Sequence, residues 1–173
     1  CRTGEQRLRT LYRKFGLEQV DAATEIIFEH CEELDREAVG RIPDGTYRAS
    51  GFMDSGGPGL PKVDVVVAVN VCGTDISVDL AGSSGPTNGP VNSPLPGTVA
   101  AARLAFKCLV NPDVPVTDGT FRNLSVEAPA QTVFNVSEPH ATIYYYPPLG
   151  LLIDLIIRAM ADALPDFVVA GQT

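Results

Sequence analysis

At 173 residues, 45% of them hydrophobic and 20% charged, the chain has the length and composition of one globular domain with a sizeable core. Its formal net charge of -8 excludes binding to a nucleic-acid backbone, which needs clustered Lys and Arg. The basic residues Arg2, Arg7, Arg9, Arg13 and Lys14 gather near the start, and such a short run reads as a solvated helix face.

In chain order, residues 4 to 15 read as the end of a helix, with Leu8, Leu11, Tyr12 and Phe15 at helical spacing and Gly16 placed to cap it. From Leu17 the apolar positions Val20, Ala23, Ile27, Cys31, Leu34 and Ala38 predict a long amphipathic helix, stopped near Gly40 and Pro43. Pro43-Asp44-Gly45 is a turn, after which the period changes to two. Residues 46 to 53 read as a strand. Residues 62 to 71, with Val63, Val65, Val67, Val69 and Val71 on one face, are the clearest strand. Cys72-Gly73-Thr74-Asp75 then turns the chain into Ile76, Val78 and Leu80, predicting a β-hairpin and a three-stranded antiparallel meander.

A Gly-rich loop covers 82 to 97, and a helix is predicted from Thr98 to Val110. Residues 111 to 120 read as a rigid loop, 121 to 126 and 131 to 136 as two short strands, and 150 to 164 as a last helix. The apolar run from Leu149 to Leu164 contains Asp154 and Arg158 and is shorter than the roughly 20 residues a membrane-spanning helix needs. Helices and strands follow one another without a βαβ rhythm. The predicted fold class is therefore α+β, a mainly antiparallel β-meander with long amphipathic helices packed on it, in a single domain over 1–173.

The four cysteines, Cys1, Cys31, Cys72 and Cys108, form no CxxC unit, and Cys31 and Cys108 fall on apolar helical faces. A reducing, cytoplasmic setting is expected, with no membrane and no nucleic-acid partner. The chain begins at Cys1 rather than Met, as expected of an excerpt or a processed piece.

Few residues carry obvious chemistry. His30 sits in a helix beside Cys31 without further ligands nearby, and His140 follows Glu138-Pro139 in a loop. No GxSxG elbow occurs, and no Gly-rich stretch is followed by Lys and Ser/Thr, so a P-loop is absent from the sequence. The Gly-rich stretches can bind an anion through backbone N–H groups or serve as plain turns. Asp79 stands three residues before the loop, aimed at a ligand or capping a turn. Asn92 reads a substrate amide or caps the coming helix. Arg122 holds a carboxylate or phosphate in a bidentate grip or is an ion-pair partner in the interior.

An ordered series of segments adds to this. Arg41-Ile-Pro-Asp-Gly-Thr-Tyr47 leads into Phe-Met-Asp54. Asp75-Ile-Ser-Val-Asp79-Leu-Ala-Gly-Ser-Ser84 is followed by Gly89-Pro-Val-Asn92-Ser-Pro-Leu95. Asn111-Pro-Asp-Val-Pro115, Asp118-Gly-Thr-Phe-Arg122 and Val126-Glu-Ala-Pro129 come next. With these the chain resembles the hydantoinase B/oxoprolinase family, the B-type subunits of ATP-dependent cyclic-amide hydrolases and of related acetone and acetophenone carboxylases. It departs from the family pattern at Gly85-Pro86-Thr87, where a Pro-Gln pair is usual, at Asp54-Ser-Gly-Gly57 and around Glu138-Pro-His140.

The resemblance implies the central part of a longer subunit that opens a hydantoin- or oxoproline-like cyclic amide together with an ATP-binding A-type partner. ATP would lie on that partner, and any metal ligands outside this chain. Asp79, Asn92 and Arg122 are the catalytic candidates. Two alternatives stand beside this: a subunit of an ATP-dependent ketone carboxylase, and a non-catalytic assembly domain in which the helix from Leu149 and Tyr144-Tyr145-Tyr146 are interface elements.

Overall fold

The computed structural model describes residues 1–168. Two helices lead, α1 (Arg2–Phe15) and α2 (Leu17–Val39). Three strands follow, β1 (Gly45–Met53), β2 (Val63–Cys72) and β3 (Asp75–Asp79), and then α3 (Leu95–Leu109). A 3-10 turn (Asp118–Phe121), β4 (Leu124–Glu127), α4 (Tyr146–Ala159) and a second 3-10 turn (Pro165–Phe167) complete the order.

The strands form one sheet in the order β1-β2-β3-β4. The antiparallel meander is as predicted: Gly45 pairs with Val71 and Met53 with Val63, while Ala68 pairs with Asp79 and Cys72 with Asp75. Gly73 makes the hairpin turn at φ +60, a region open to glycine, and its N–H is held by Asp44 Oδ1 at 2.8 Å.

Strand β4 adds a feature that the meander does not predict. It pairs with β3 in the parallel sense, Ile76 opposite Leu124 and Asp79 opposite Glu127. A parallel neighbour cannot follow a tight turn and needs a crossover, which α3 supplies. The fold thus holds one β3–α3–β4 unit within an otherwise antiparallel α+β arrangement. The second short strand, 131 to 136, does not form. Gln131 sits at φ +63 and Thr132 Oγ1 donates to the Pro129 carbonyl at 2.8 Å, which folds the segment into turns. Val133 and Phe134 are nevertheless fully buried.

One face of the sheet is covered. Val63, Val65, Val67, Val69 and Val71 are all at most 3% exposed and pack with Ala102, Ala105, Phe106, Leu152, Leu155 and Ile156 of α3 and α4. The opposite face carries Arg48, Ser50, Asp64, Asn70, Ser77, Asp79 and Glu127, with Phe52, Val66 and a buried Ala68 among them, and is largely open at β1 and β4.

The expectation that the long helices pack on the sheet holds for α3 and α4 only. The 23-residue α2 buries Cys31, Asp35 and Val39, all in its second half, and α1 buries nothing. Leu8, Leu11, Phe15, Leu17, Ile26 and Ile27 stay exposed. Cys108 also departs from expectation. It lies with Leu104 on the outward face of α3, so it is exposed while Cys31 is buried.

The second half of α2 is fixed by two contacts. Gly119 packs so close to the Phe28 carbonyl that a Cβ there would stand 2.0 Å from its oxygen. Deeper in, Asp35 is fully buried, accepts from Asn111 Nδ2 at 2.9 Å, and faces Lys107 Nζ at 3.9 Å. Burial pushes the Asp35 carboxyl above its usual range, against the pull of the Asn111 hydrogen bond and of Lys107. A raised carboxyl favours the fold most below the ordinary carboxylate pKa, and that contribution is lost as pH rises through the raised value.

Removing one partner of such a pair strands the other. Asp35→Ala or Lys107→Met alone is expected to destabilise the protein by about 3–5 kcal/mol, and Asp35→Leu with Lys107→Met together by much less. Urea unfolding of the three variants checks this; additive losses would show that the two groups do not act as a pair.

Candidate functional site

The Gly-rich loop after β3 is built as an extension of the sheet. Asp79 accepts from the Ala81 N–H at 2.8 Å, closing an Asx turn that ends the strand. The chain then returns to β2 through side chains. Ser83 Oγ accepts from the Val66 N–H at 3.0 Å, Ser84 Oγ accepts from the Asp64 N–H at 2.9 Å, and the Ser84 N–H donates to the Asp64 carbonyl at 2.9 Å. Segment 131–136 is stitched to this loop rather than to a sheet edge: the Val133 N–H donates to the Ser84 carbonyl and the Ser93 N–H to the Val133 carbonyl.

Asn92 is the knot of the loop. Its Oδ1 accepts from the Thr87 N–H at 2.8 Å. Its Nδ2 donates to the carbonyls of Thr87 at 3.1 Å, Gly89 at 3.0 Å and Ala141 at 2.9 Å. The residue is fully buried with its amide spent on these bonds, and it does not cap α3, whose N-cap is Pro94. Gly89 lies where any Cβ would come within 2.0 Å of the Gly56 carbonyl oxygen, which locks the loop to segment 54–61.

Four of the loop's N–H groups, those of Ser83, Ser84, Thr87 and Gly89, are already spent on Leu80, Asp64, Asn92 and Thr87. An anion would have to break these bonds to use those donors. Among the described residues, no three His, Cys, Asp or Glu side chains converge on a metal position.

Through Asn92 and the Tyr144 N–H, which donates to the Pro90 carbonyl at 2.9 Å, the loop holds segment 141–146 in place. That segment forms one wall of a groove of about 790 Å³ between α3, α4 and the end of β1. Gly97, Ala100 and Leu104 of α3 face Gly150 and Ile153 of α4 across it, and Tyr145 stacks on Tyr146 with centroids 5.0 Å apart. Asp154 is the one carboxylate in its lining. Such a lining binds apolar groups rather than moving protons. Its sequence signal is the small-residue spacing Gly97-Ala100-Ala101-Leu104 next to three tyrosines, which the Gly-rich loop overshadows.

The three candidate residues are not brought together. Asp79 and the Asn92 loop share one end of the sheet, whereas Arg122 lies at the other, where β3 begins. Arg122 donates to Glu25 Oε1 at 2.7 Å and Glu32 Oε2 at 3.4 Å and lies over the Phe28 ring. It ties the 3-10 turn to α2 as an ion-pair partner at the surface. The Glu25 hydrogen bond holds its guanidinium above the usual range, and the Arg36 hydrogen bond, helped by Arg122, lowers the Glu32 carboxyl. Asp79 keeps a partly exposed carboxylate beside Glu127 on the uncovered face. His30 is exposed, and His140 closes a turn with its N–H on the Ser137 carbonyl.

A family model described as hydantoinase B/oxoprolinase matches residues 1–173. A putative B-type D-/L-hydantoinase subunit from a Pseudomonas species is 34% identical over 99% of this chain and 31% of its own length. The beta subunit of the caprolactamase of Pseudomonas jessenii is 25% identical over 99% of this chain and 30% of its own. The chain thus spans about 30% of the length of these curated relatives. Among solved structures, the ATP-dependent caprolactamase from Pseudomonas jessenii superposes with a TM-score of 0.87 at 24% identity, covering 96% of this chain and 29% of that one. The nucleotide-free acetone carboxylase superposes with a TM-score of 0.80 at 16% identity, covering 95% and 24%. At these identities the superpositions establish the fold alone.

Asn92→Ala removes the acceptor of the part-buried Thr87 N–H and one hydrogen bond from each of the Thr87, Gly89 and Ala141 carbonyls, and is expected to cost roughly 2–3 kcal/mol. Hydrogen exchange locates the damage: the Tyr144 amide loses protection, while the β1–β2 amides change only with global stability. Unchanged protection at Tyr144 would mean that Asn92 does not hold the wall.

Proposed function

The chain belongs to the hydantoinase B/oxoprolinase family, and from that premise we propose that it is the central part of a B-type component of an ATP-dependent amidohydrolase. The complete subunit would open a hydantoin- or oxoproline-like cyclic amide together with an ATP-binding A-type partner, in the cytoplasm. The observation that carries this reading is the 34% identity to a B-type hydantoinase subunit across 99% of the chain. A second relative named for a cyclic amide, the caprolactamase, supports it.

The structure's own chemistry agrees with a division of labour. Four N–H groups of the Gly-rich loop are spent internally, which supports assigning the phosphate chemistry to the partner. ATP there would supply the phosphoryl group that activates the amide oxygen for hydrolysis. No helix among the described residues is long and apolar enough to cross a membrane.

Of the three candidates, Asp79 is the one proposed to face the reacting molecule. Its carboxylate is partly exposed at the loop end, and only one of its oxygens is used by the Asx turn. Asn92 and Arg122 act as positioning residues, one for the groove wall and one for α2. A second reading gives this segment an assembly role without catalysis. On its side is the exposure of Tyr144, Tyr145 and Tyr146 at 62%, 40% and 75%; the helix that follows is a core element, with Leu152, Leu155 and Ile156 buried.

The test uses the complete subunit with its A-type partner. ATP hydrolysis coupled to ring opening, independent of bicarbonate, is expected; dependence on bicarbonate would assign the complex to ketone carboxylation. Asp79→Asn keeps the Asx-turn acceptor and removes the charge. It is expected to slow ring opening by about 100-fold or more. Full activity in that variant would take Asp79 out of the mechanism and favour the assembly reading.

A further inference from the structure

The sheet has two edges of unlike character. The outer strand β4 has four residues, whereas β1 has nine. Strand β1 pairs with β2 one to one, from Gly45 opposite Val71 to Met53 opposite Val63, without a bulge. Short strands, bulges, prolines and clustered charge are the means by which edges are kept from pairing. Strand β1 has none of them, and Arg48 is its one charged residue.

Which of its backbone groups are free follows from β2. The backbones of Asp64 and Val66 are held by Ser84 and Ser83 from the β3 side, and Cys72 pairs with Asp75 across the hairpin turn. Even-numbered residues of β2 therefore aim their N–H and C=O groups at β3, and odd-numbered ones at β1. The odd-numbered residues of β1 meet them. Thr46, Arg48, Ser50 and Phe52 aim theirs away from the sheet. Among the described residues, these four N–H and four C=O groups have no partner. Such a row of donors and acceptors is the template for another extended strand.

The sequence of β1 says which strand fits. Laid antiparallel against itself with Ala49 at the centre, all nine residues pair. The outward residues then face one another, Thr46 opposite Phe52 and Arg48 opposite Ser50. Tyr47 stands beside Gly51, and Met53 beside Gly45. Each bulky side chain meets a smaller one, and the two Arg48 charges are not opposed. The same twofold axis brings α4, which packs on both β1 and β2, beside its own copy. A cleft of about 720 Å³ between α4 and β1 is lined by residues 50–52 and 64–66 and by Leu151, Asp154, Leu155 and Arg158. Among the described residues, neither Asp154 nor Arg158 is in an ion pair. A twofold axis pairs opposite charges of one surface reciprocally.

We propose that β1 is a dimerisation edge. Two copies of this chain pair antiparallel through it about an axis at Ala49, joining two four-stranded sheets into one, with Asp154 of each copy against Arg158 of the other. The inference is independent of the reaction assigned above.

Sedimentation equilibrium of the full chain is expected to show a dimer at about 100 µM. Ser50→Pro removes an outward N–H and leaves the bonds between β1 and β2 in place. It is expected to weaken the dimer about tenfold or more. Asp154→Arg alone is expected to weaken it about tenfold, and Asp154→Arg with Arg158→Asp to restore it. A monomer at that concentration, a dimer indifferent to Ser50→Pro, or a charge exchange that restores nothing overturns the proposal. A monomer whose Arg48 and Ser50 amides are protected from exchange only in the complete subunit also overturns it, and gives the edge to another strand of that subunit.

Discussion

The valine row of β2 is the constraint from which the rest of the structure follows. Five side chains on one face of one strand are buried nearly completely, each contributing about 1.5–3 kcal/mol by leaving water. They can be covered only by apolar helices lying across the sheet, and α3 and α4 supply those. The other face is only partly polar, since Phe52, Val66 and Ala68 share it with Arg48, Asp64, Asn70 and Asp79. The same row places β2 in the interior of the sheet, between β1 and β3. The sheet then grows past β3 by the crossover through α3, and the covering helix and the parallel strand arrive together.

The loop end shows how a chain rich in Gly, Ser, Pro and Asn becomes rigid without a core. Ser83 and Ser84 take the place of strand backbone against β2, and Asn92 satisfies four backbone groups on three residues of two segments. Each polar side chain here stands in for a missing β-ladder bond. A loop with the composition of an anion cradle here spends four of its N–H donors on holding itself together.

Period and turn chemistry make much of the fold legible. The valine alternation, the Asp44-Gly45 and Gly73 turns and the stops at Gly16 and Gly40 locate the α2 helix and the β1–β2–β3 meander within a residue or two. What stays hidden depends on contacts distant in sequence. Leu124–Glu127 reads as a strand from its alternation, but nothing local says that its neighbour is β3 in parallel. Thr132–Val136 alternates like a strand, yet Val133 and Phe134 turn inward because Ser84 and Ser93 claim the backbone of Val133. Asn92 and Arg122 invite a reactive reading because their side chains are versatile. Versatility serves tertiary anchoring equally well, and here Ala141 and Glu25, 49 and 97 residues away, claim them.

The treatment of charge joins the fold to its proposed use. Around the start of β3, two arginines, Arg36 and Arg122, are held by three carboxylates, Glu25, Glu32 and Asp75, with one negative charge to spare. Exposed pairs of this kind add little stability. Their larger consequence is chemical: arginines already paired have little to offer a phosphate or a carboxylate. At the other end of the sheet four N–H groups of the Gly-rich loop are likewise spent within the fold. Both ends thus commit strong anion-binding groups to tertiary contacts, which is how a segment rich in polar side chains holds its shape.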